Sequence, residues 1–403
     1  MQIDSLISAL APREVVGHAP VEIRDLAHDA RAVEPGSLFF CVPGERVDGH
    51  DFAPQAVEAG AVALVVERAL DVAVPQLVVE SARDAMPVAA DEFFGRPTEQ
   101  LQVAGVTGTN GKTTTAFLLY AILAAARRRP GLLGTIESRV GGERRPAIRT
   151  TPEAIDLQRA FREMLDAGDR SAAVEATSHG SALGRLECVR FRALVFTNLT
   201  QDHLDFHGTL EEYFRAKRRL FVGPQPPPAA VNVDTEWGAR LAEELEFAHR
   251  APLLTFGLGE AAELRPESLE LGAGGSRFRA GGIAVETPLR GRFNVENVLG
   301  AVAAAKLLEI PDDAIAYGVK ELRGVPGRFE AVDEGQPFAV LVDYAHTPDS
   351  LENVLRAARE LTAGRLHVVF GAGGSTSRTS SARSRQAFCS GSTTTTSPWV
   401  SPP

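Results

Sequence analysis

The sequence has little cysteine. Its three thiols, Cys41, Cys188 and Cys389, lie far apart in a chain of 403 residues. That excludes a disulfide framework and the paired spacing of a zinc site. No window approaches the roughly 18 uninterrupted apolar residues that a membrane span needs. The start, Met-Gln-Ile-Asp-Ser-Leu, lacks a charged segment followed by an apolar one, so no export signal is read there. Positive charge is in deficit: 42 Lys and Arg stand against 52 Asp and Glu, a net charge of −10. This argues against nonspecific binding to nucleic acid or acidic membranes. No base-reading Asn-Lys-x-Asp segment appears, which weighs against a GTPase. What remains is an ordinary soluble composition, 44% hydrophobic and 23% charged, with an expectation of about two to four domains and a cytoplasmic setting.

One stretch organises the chain. Val103–Val106 reads as a short buried strand, Gly108 and Gly111 as a turn, and Lys112 onward as an apolar helix to Ala126. Strand, glycine turn and helix start make a phosphate cradle of backbone N–H groups and helix-end partial charge. Lys112 is placed to reach β/γ-phosphates and the Thr113 hydroxyl to hold Mg²⁺. The general P-loop pattern wants a glycine where Val106 stands, so Gly108-Thr-Asn-Gly-Lys-Thr113 is a tighter variant.

The flanking segments alternate strand and helix, the mark of an α/β protein. Before the cradle, 37–42, 61–66 and 76–79 read as strands and Ala53–Gly60 as a helix with Gly60 at C′. Leu26–Arg31 reads as a surface turn. After it, 132–135, 172–175 and 194–198 read as strands, and 153–167 as a helix with Thr151 as N-cap and Pro152 in its first turn. Glu175 ends a buried strand, where α/β enzymes hold metal or ligand. Asp202, His203, Asp205 and His207 fall within six residues just past a strand end, a dense metal-capable set. Thr209 and Glu212 form a capping box. In the helix that follows, Lys217 shares a stripe with Leu210, Tyr213, Phe214, Leu220 and Phe221. Two readings stay open: a snorkelling lysine, or a neutral amine of lowered pKa that takes up CO₂ as a carbamate, an oxygen ligand for Mg²⁺. Asn294 stands near a helix start and suits a cap. Residues 338–343 read as a buried strand ending in Asp343, then a helix to Leu361, then a strand at 366–370 ending in Gly371-Ala-Gly-Gly374, the start of a βαβ unit. From Ser375 the hydrophobic period is lost, and 375–403 reads as a disordered tail, with the third unit cut short.

The runs Thr107–Thr113, Glu175-Ala-Thr-Ser-His-Gly180, Asp202-His-Leu-Asp-Phe-His-Gly208, Gly291-Arg-Phe-Asn294 and Asp343-Tyr-Ala-His-Thr-Pro-Asp349 resemble, in order and spacing, those of the Mur ligases. The likeness is to the tripeptide-forming branch and covers about residues 20–374. It implies three α/β domains: a UDP-binding domain (1–99), a central P-loop ATPase domain (100–325) and a Rossmann-like amino-acid domain, partial here (326–374). It implies an ATP-dependent ligase of peptidoglycan synthesis, and so of cell shape and division. Its partners are UDP-N-acetylmuramoyl-L-alanyl-D-glutamate, ATP and a diamino acid, meso-diaminopimelate ahead of lysine. By position, the resemblance places ATP on Gly108, Thr109, Asn110, Gly111, Lys112, Thr113 and Thr114, with Asn294, Asn297, Arg328 and Asp343. It places the UDP-sugar peptide on His28, Ala30, Glu45, Arg46, Val47, Thr150, Thr151, Thr177 and Arg185. It gives Mg²⁺ the ligands Thr113, Glu175, His203 and carbamylated Lys217, and gives Lys112, Glu175, His203 and Lys217 the catalytic roles. Ala30 replaces a serine common in the family. The motif that reads the diamino acid is absent after Gly374. A folylpolyglutamate synthetase-like ligase and a non-catalytic binder of nucleotide and UDP-peptide are the alternatives; a monomer is the default.

Overall fold

The computed structural model describes residues 1–44, 47–272, 274–362 and 364–369. Residues 1–361 form one compact unit and the chain from Thr362 a second. Among the described residues no helix is long and apolar enough to cross a membrane.

The chain opens with α1 (Ile3–Leu10), β1 (Glu14–Val16), β2 (Asp25–Ala27), β3 (Ser37–Phe40), α2 (Ala53–Glu58), β4 (Ala63–Val66), β5 (Gln76–Val78) and α3 (Ala82–Phe93). The strands form one sheet in the order β1-β5-β4-β3-β2, parallel except for β1 on β5. β3 and β4 are buried along their whole length, as continuous apolar runs demand when both faces are covered. Gly60 follows α2 with φ +109°, and a Cβ there would meet Pro35 Cα at 2.8 Å, so it serves as the C′ glycine. The expected surface turn at 26–31 begins only at His28, because Leu26 and Ala27 are buried strand.

A short α4 (Pro97–Gln100) leads into β6 (Gln102–Thr107) and α5 (Lys112–Ala125). Then come β7 (Pro130–Leu133), β8 (Glu137–Val140), β9 (Glu143–Pro146), α6 (Ala154–Asp166), β10 (Ser171–Glu175), α7 (Ser178–Ala182), β11 (Phe191–Phe196), α8 (Leu204–His207), α9 (Leu210–Arg218), β12 (Ala229–Asn232), α10 (Glu236–Ala248) and β13 (Leu253–Phe256). The central sheet runs β13-β12-β11-β6-β10-β7-β8-β9. β6 sits between β10 and β11, both parallel to it. A strand flanked by two later ones marks the switch point of an open sheet, where the loops diverge and leave a crevice. A three-stranded sheet, β14 (Glu267–Gly272), β15 (Gly275–Ala280) and β16 (Ile283–Thr287), precedes α11 (Arg292–Leu307) and α12 (Asp312–Glu321). Phe117, Ile122, Val195, Phe256, Val298 and Val302 share the largest core, which joins α5 and α11 to the sheet.

The last elements are β17 (Glu330–Val332), β18 (Val340–Val342) and α13 (Pro348–Glu360). β18 pairs antiparallel with β17 in a two-stranded ribbon. It is not the buried strand expected at 338–343: Phe338 and Val342 are exposed, since one ribbon neighbour leaves its faces uncovered. Residues 366–369 form no strand, and Val369 is 98% exposed. Gly371–Gly374 and the tail at 375–403 lie outside the described residues.

Two expected caps differ. α6 starts at Ala154 with Glu153 as N-cap and no side-chain capping bond. The Thr151 hydroxyl is instead turned to the end of β10, so it caps nothing. Thr209 does cap α9, accepting from Glu212 N at 3.1 Å. The reciprocal half of the box is not made, because the Glu212 carboxylate is drawn to Arg215 at 2.8 Å.

α6 belongs to two cores. Ala154 and Ile155 pack with Ile3, Leu6 and Met86 of the first sheet's layer, while Leu157, Phe161 and Met164 pack with Val103 and Val174 of the central one. An Ile155→Ala variant is expected to lose about 2–5 kcal/mol through the cavity it leaves. The check is an earlier first transition in thermal unfolding.

Candidate functional site

The site grows from the end of β6. Gly108 has φ +148° and a Cβ there would lie 1.9 Å from Thr197 Oγ1; Gly111 has φ +87° and its Cβ would lie 2.2 Å from Asn297 Oδ1. Both positions therefore require glycine twice over, for conformation and for space. The back of the loop is tied to the end of β11. Asn110 N donates to Asn198 Oδ1 at 2.9 Å, Thr197 Oγ1 donates to Asn110 O at 2.6 Å, and Thr109 Oγ1 accepts from Thr200 N at 3.0 Å. α13 reaches the same loop: Asp349 Oδ2 accepts from Asn110 Nδ2 at 2.9 Å and Thr200 Oγ1 at 3.2 Å. Lys112 folds over its own turn and donates to Gly108 O at 2.9 Å and Thr109 O at 2.8 Å. Burial lowers its pKa, with the nearby Arg328 adding to that and Glu175 opposing it.

Glu175, fully buried at the end of β10, is the hub. Its carboxylate accepts from Thr113 Oγ1 at 3.0 Å, Thr135 N at 2.7 Å and Thr135 Oγ1 at 3.1 Å. Arg328 Nη2 donates to Thr113 Oγ1 at 3.1 Å and its guanidinium lies 5.0 Å from the Tyr344 ring centre. Asp343 holds the turn that carries Arg328, accepting from Phe329 N at 2.6 Å and Ala345 N at 2.7 Å. On the other side of Glu175, Thr150 and Thr135 share a hydrogen bond of 3.1 Å between hydroxyls. Thr151 Oγ1 donates to Glu175 O at 2.8 Å and accepts from Thr177 Oγ1 at 2.9 Å. Arg185 donates to Thr151 O at 3.1 Å and pairs with Glu153 at 2.6 Å. Of the sequence-predicted residues, Thr113, Thr150, Thr151, Glu175, Thr177 and Arg185 are thus one connected network.

Lys217 does not snorkel. It is 1% exposed, and Nζ donates at 2.7 Å to Gly108 O, the carbonyl that Lys112 also uses. Its ammonium lies 4.4 Å from the Tyr213 ring centre. Burial, and then the Lys112 charge, hold its pKa well below the ordinary lysine value. His203 has φ +52°, and its Nε2 lies 3.5 Å from Asp202 Oδ2. Its ring packs edge-on against His179, centroids 4.7 Å apart. His207 turns elsewhere, to Ser178 Oγ at 3.0 Å, and burial brings its pKa down to about 4. Among the described residues no three His, Cys, Asp or Glu side chains gather, so the run 202–207 does not by itself form one cluster. The His203 and His207 rings both pack against His179 and Tyr213, but their polar partners differ, Asp202 for one and Ser178 for the other.

Asn294 is the third residue of α11, not its cap. Its Nδ2 donates to Arg290 O at 2.8 Å and its Oδ1 accepts from Asn297 Nδ2 at 3.0 Å. Thr114 is buried in the first turn of α5. His28 and Ala30 are half-buried in the turn after β2, and Val47 is 60% exposed; none of the three touches the network above. Glu45 and Arg46 lie outside the described residues. Thr135, Asp349 and Glu296 are among the participants that carried no functional assignment in the sequence. Thr135 ended a strand read only as a strand, Asp349 lay in a quoted motif without a role, and Glu296 sits between Asn294 and Asn297. The Glu296 carboxyl is pushed up to about 7 by burial and by Asp234, with Asn232 opposing.

Three family models match the chain: "Mur ligase family, catalytic domain" over residues 22–94, "Mur ligase middle domain" over 106–305, and "Mur ligase, glutamate ligase domain" over 327–390. The third runs past Gly374. A UDP-N-acetylmuramoyl-L-alanyl-D-glutamate–2,6-diaminopimelate ligase from Geobacillus thermodenitrificans is 44% identical over 390 residues, covering 94% of this chain and 79% of that one. A solved structure of a ligase of the same name superposes with a TM-score of 0.73 at 31% identity, covering 87% of this chain and 73% of that one. A folylpolyglutamate synthetase from Lactobacillus casei, at 18% identity and a TM-score of 0.52, covers 70% of this chain and 77% of its own and shares the fold.

Gly111→Ala should weaken binding of a fluorescent nucleoside triphosphate by about tenfold or more, since the loop must move off Asn297. For Glu296 the sign is set by protons. The carboxyl ionises near 4.5 in the unfolded chain and near 7 in the folded one. The folded chain binds more protons between those values, so this group's contribution to stability falls as pH rises through them. Glu296→Gln should therefore gain stability relative to wild type on going from about pH 5 to about pH 7.5 in urea titrations; an unchanged difference would contradict the assignment.

Proposed function

The chain belongs to the Mur ligase family, the ATP-dependent amide ligases, and from that premise we propose that it joins a diamino acid, meso-diaminopimelate first, to UDP-N-acetylmuramoyl-L-alanyl-D-glutamate. The observation that carries this reading is the unbroken line Thr113–Glu175–Thr151–Arg185. It runs from the phosphate cradle to the residues matching the family's UDP-peptide contacts. The assignments follow as 1–99 for the uridine side, 100–325 for ATP and the peptide end, and 326–374 for part of the amino-acid side.

The chemistry needs those two ends together. A carboxylate is a poor electrophile until one oxygen becomes a leaving group. Transfer of the γ-phosphoryl group of ATP to the γ-carboxylate of the D-glutamyl residue gives an acyl phosphate and ADP. The amine of the diamino acid then attacks the acyl carbon, phosphate leaves with the C–O bond, and the amine's proton goes to solvent or base. Lys112 exchanges the Gly108 and Thr109 carbonyls for phosphate oxygens, and the N–H groups opening α5 face the same charge. Arg328, beside Thr113, adds a second cation near the phosphates. Asn294 and Asn297, linked to each other and against Gly111, form the base side of the nucleotide site, and Asp343 fixes the Arg328 turn. His28, Ala30 and the stretch Glu45–Val47 take the uridine end.

The donor chemistry fits Mg²⁺. Two buried oxygens, Thr113 Oγ1 and a Glu175 carboxylate oxygen, already lie 3.0 Å apart, and hard oxygen donors are what that ion selects. Thr113 and Glu175 would hold one ion, and Glu175, His203 and carbamylated Lys217 another. When bound, the ions supply positive charge to the transferring phosphoryl group. Lys217 suits the modification, because a buried amine beside another cation favours its neutral, nucleophilic form. The neutral amine adds to CO₂ and releases one proton. The product is an anion, which attracts the Lys112 cation where a charged Lys217 would repel it.

Phosphate release from Mg-ATP should require both UDP-N-acetylmuramoyl-L-alanyl-D-glutamate and one diamino acid. Release with a folate in place of the UDP-peptide, or ATP binding with no release under any combination, would overturn the assignment. Enzyme stripped of CO₂ at low pH should lose most of its activity and regain it with bicarbonate. Lys217→Met should be inactive and unmoved by bicarbonate.

A further inference from the structure

The uridine-side turn and the peptide-side corner lie on different sheets, so something must fix their separation. α6 touches both. At its N-terminal end, Glu153 holds Arg185 at 2.6 Å, and Thr151, just before it, is bonded to the end of β10. Six residues on, about 9 Å along the helix, Arg159 reaches the first sheet. Its Nη1 donates to Asp25 Oδ1 at 2.8 Å and its Nη2 to Leu26 O at 3.2 Å. Its guanidinium also lies 5.2 Å from the Phe94 ring centre. Asp25 and Leu26 form the strand that runs directly into His28. The Asp25 carboxylate is braced in turn by Leu26 N at 2.8 Å. Arg190 makes a second tie between the two layers, to Asp91 of α3 at 3.2 Å, but it touches no strand on the uridine side.

We infer that α6, locked to β2 through Arg159, is the ruler that sets the span between the two ends of the UDP-linked peptide, which makes Arg159 a positioning residue. The inference rests on the proposed function, since only a ligand with a uridine end and a peptide end needs such a frame. A ligand held at one end meets its second site at an effective concentration that depends on how stiffly that site is placed. Releasing Arg159 leaves each site intact and loosens the frame between them. A residue that served only as cement would, when removed, lower stability and weaken all ligands or none.

The test uses Arg159→Met, which keeps an unbranched side chain and removes the fork, and Asp25→Ala, which breaks the same tie from the other side. Calorimetric titration would compare UDP alone, UDP-N-acetylmuramoyl-L-alanyl-D-glutamate and a non-hydrolysable ATP analogue, with the thermal midpoint recorded for each variant. The expected result is a loss of about tenfold or more for the UDP-peptide in both variants. UDP and the ATP analogue should stay within about twofold of wild type, which also reports a folded protein. Arg159→Lys, retaining one donor group, should fall between. An equal loss for UDP alone would place the effect in the uridine turn and overturn the ruler, as would an unchanged affinity for the UDP-peptide. Failure of the wild-type chain to bind the UDP-peptide would overturn the proposed function, and the ruler with it.

Discussion

The buried carboxylate of Glu175 is the constraint from which the site follows. A charge removed from water is costly unless its lone pairs are filled, and here they are filled by Thr113 and Thr135. Those partners come from the helix after β6 and the loop after β7, the strands on either side of β10. The carboxylate can be buried only if three strand ends stay in register. Burying it therefore fixes the crevice at the switch point of the sheet, and with it the first turn of α5. The backbone carbonyl of the same residue holds Thr151, so the acid positions both sides of the crevice at once.

The site was legible where local chemistry dictates conformation. The glycines at 108 and 111 are demanded by backbone angle and by lack of space, and both demands are written in the chain as residue type. Lys217 was legible as an anomaly, a cation in an apolar stripe, but periodicity does not say where a long side chain ends. Only the packed structure sends its amine to Gly108 rather than to water. The density of Asp and His at 202–207 is incomplete as a signal for a related reason. Proximity along the chain says little about convergence when a turn lies within the run, and His203 lies in such a turn.

Caps and strand burial depended on partners that lie far off in sequence. Thr151 has every local feature of an N-cap, yet a carbonyl at the end of β10 competes for its hydroxyl and wins. Residues 338–343 are apolar enough for a core strand, but apolar character cannot supply a second neighbour. Thr135, Asp349 and Glu296 were silent because each acts through a contact formed only on folding. The alternation of strand and helix on either side of the cradle, by contrast, was readable, and the three-domain Mur ligase architecture is what that alternation builds.

Lys112 and Lys217 both donate to the carbonyl of Gly108. In effect, the two amines act as a scaffold within the cradle. They hold the carbonyl and the turn around it in one conformation, so entropy lost in ordering the loop is lost at folding and not again when a nucleotide arrives. Association then becomes an exchange of hydrogen-bond partners on a fixed backbone. Such a cradle should admit its ligand without a slow rearrangement, with little change in backbone mobility between the empty and filled states.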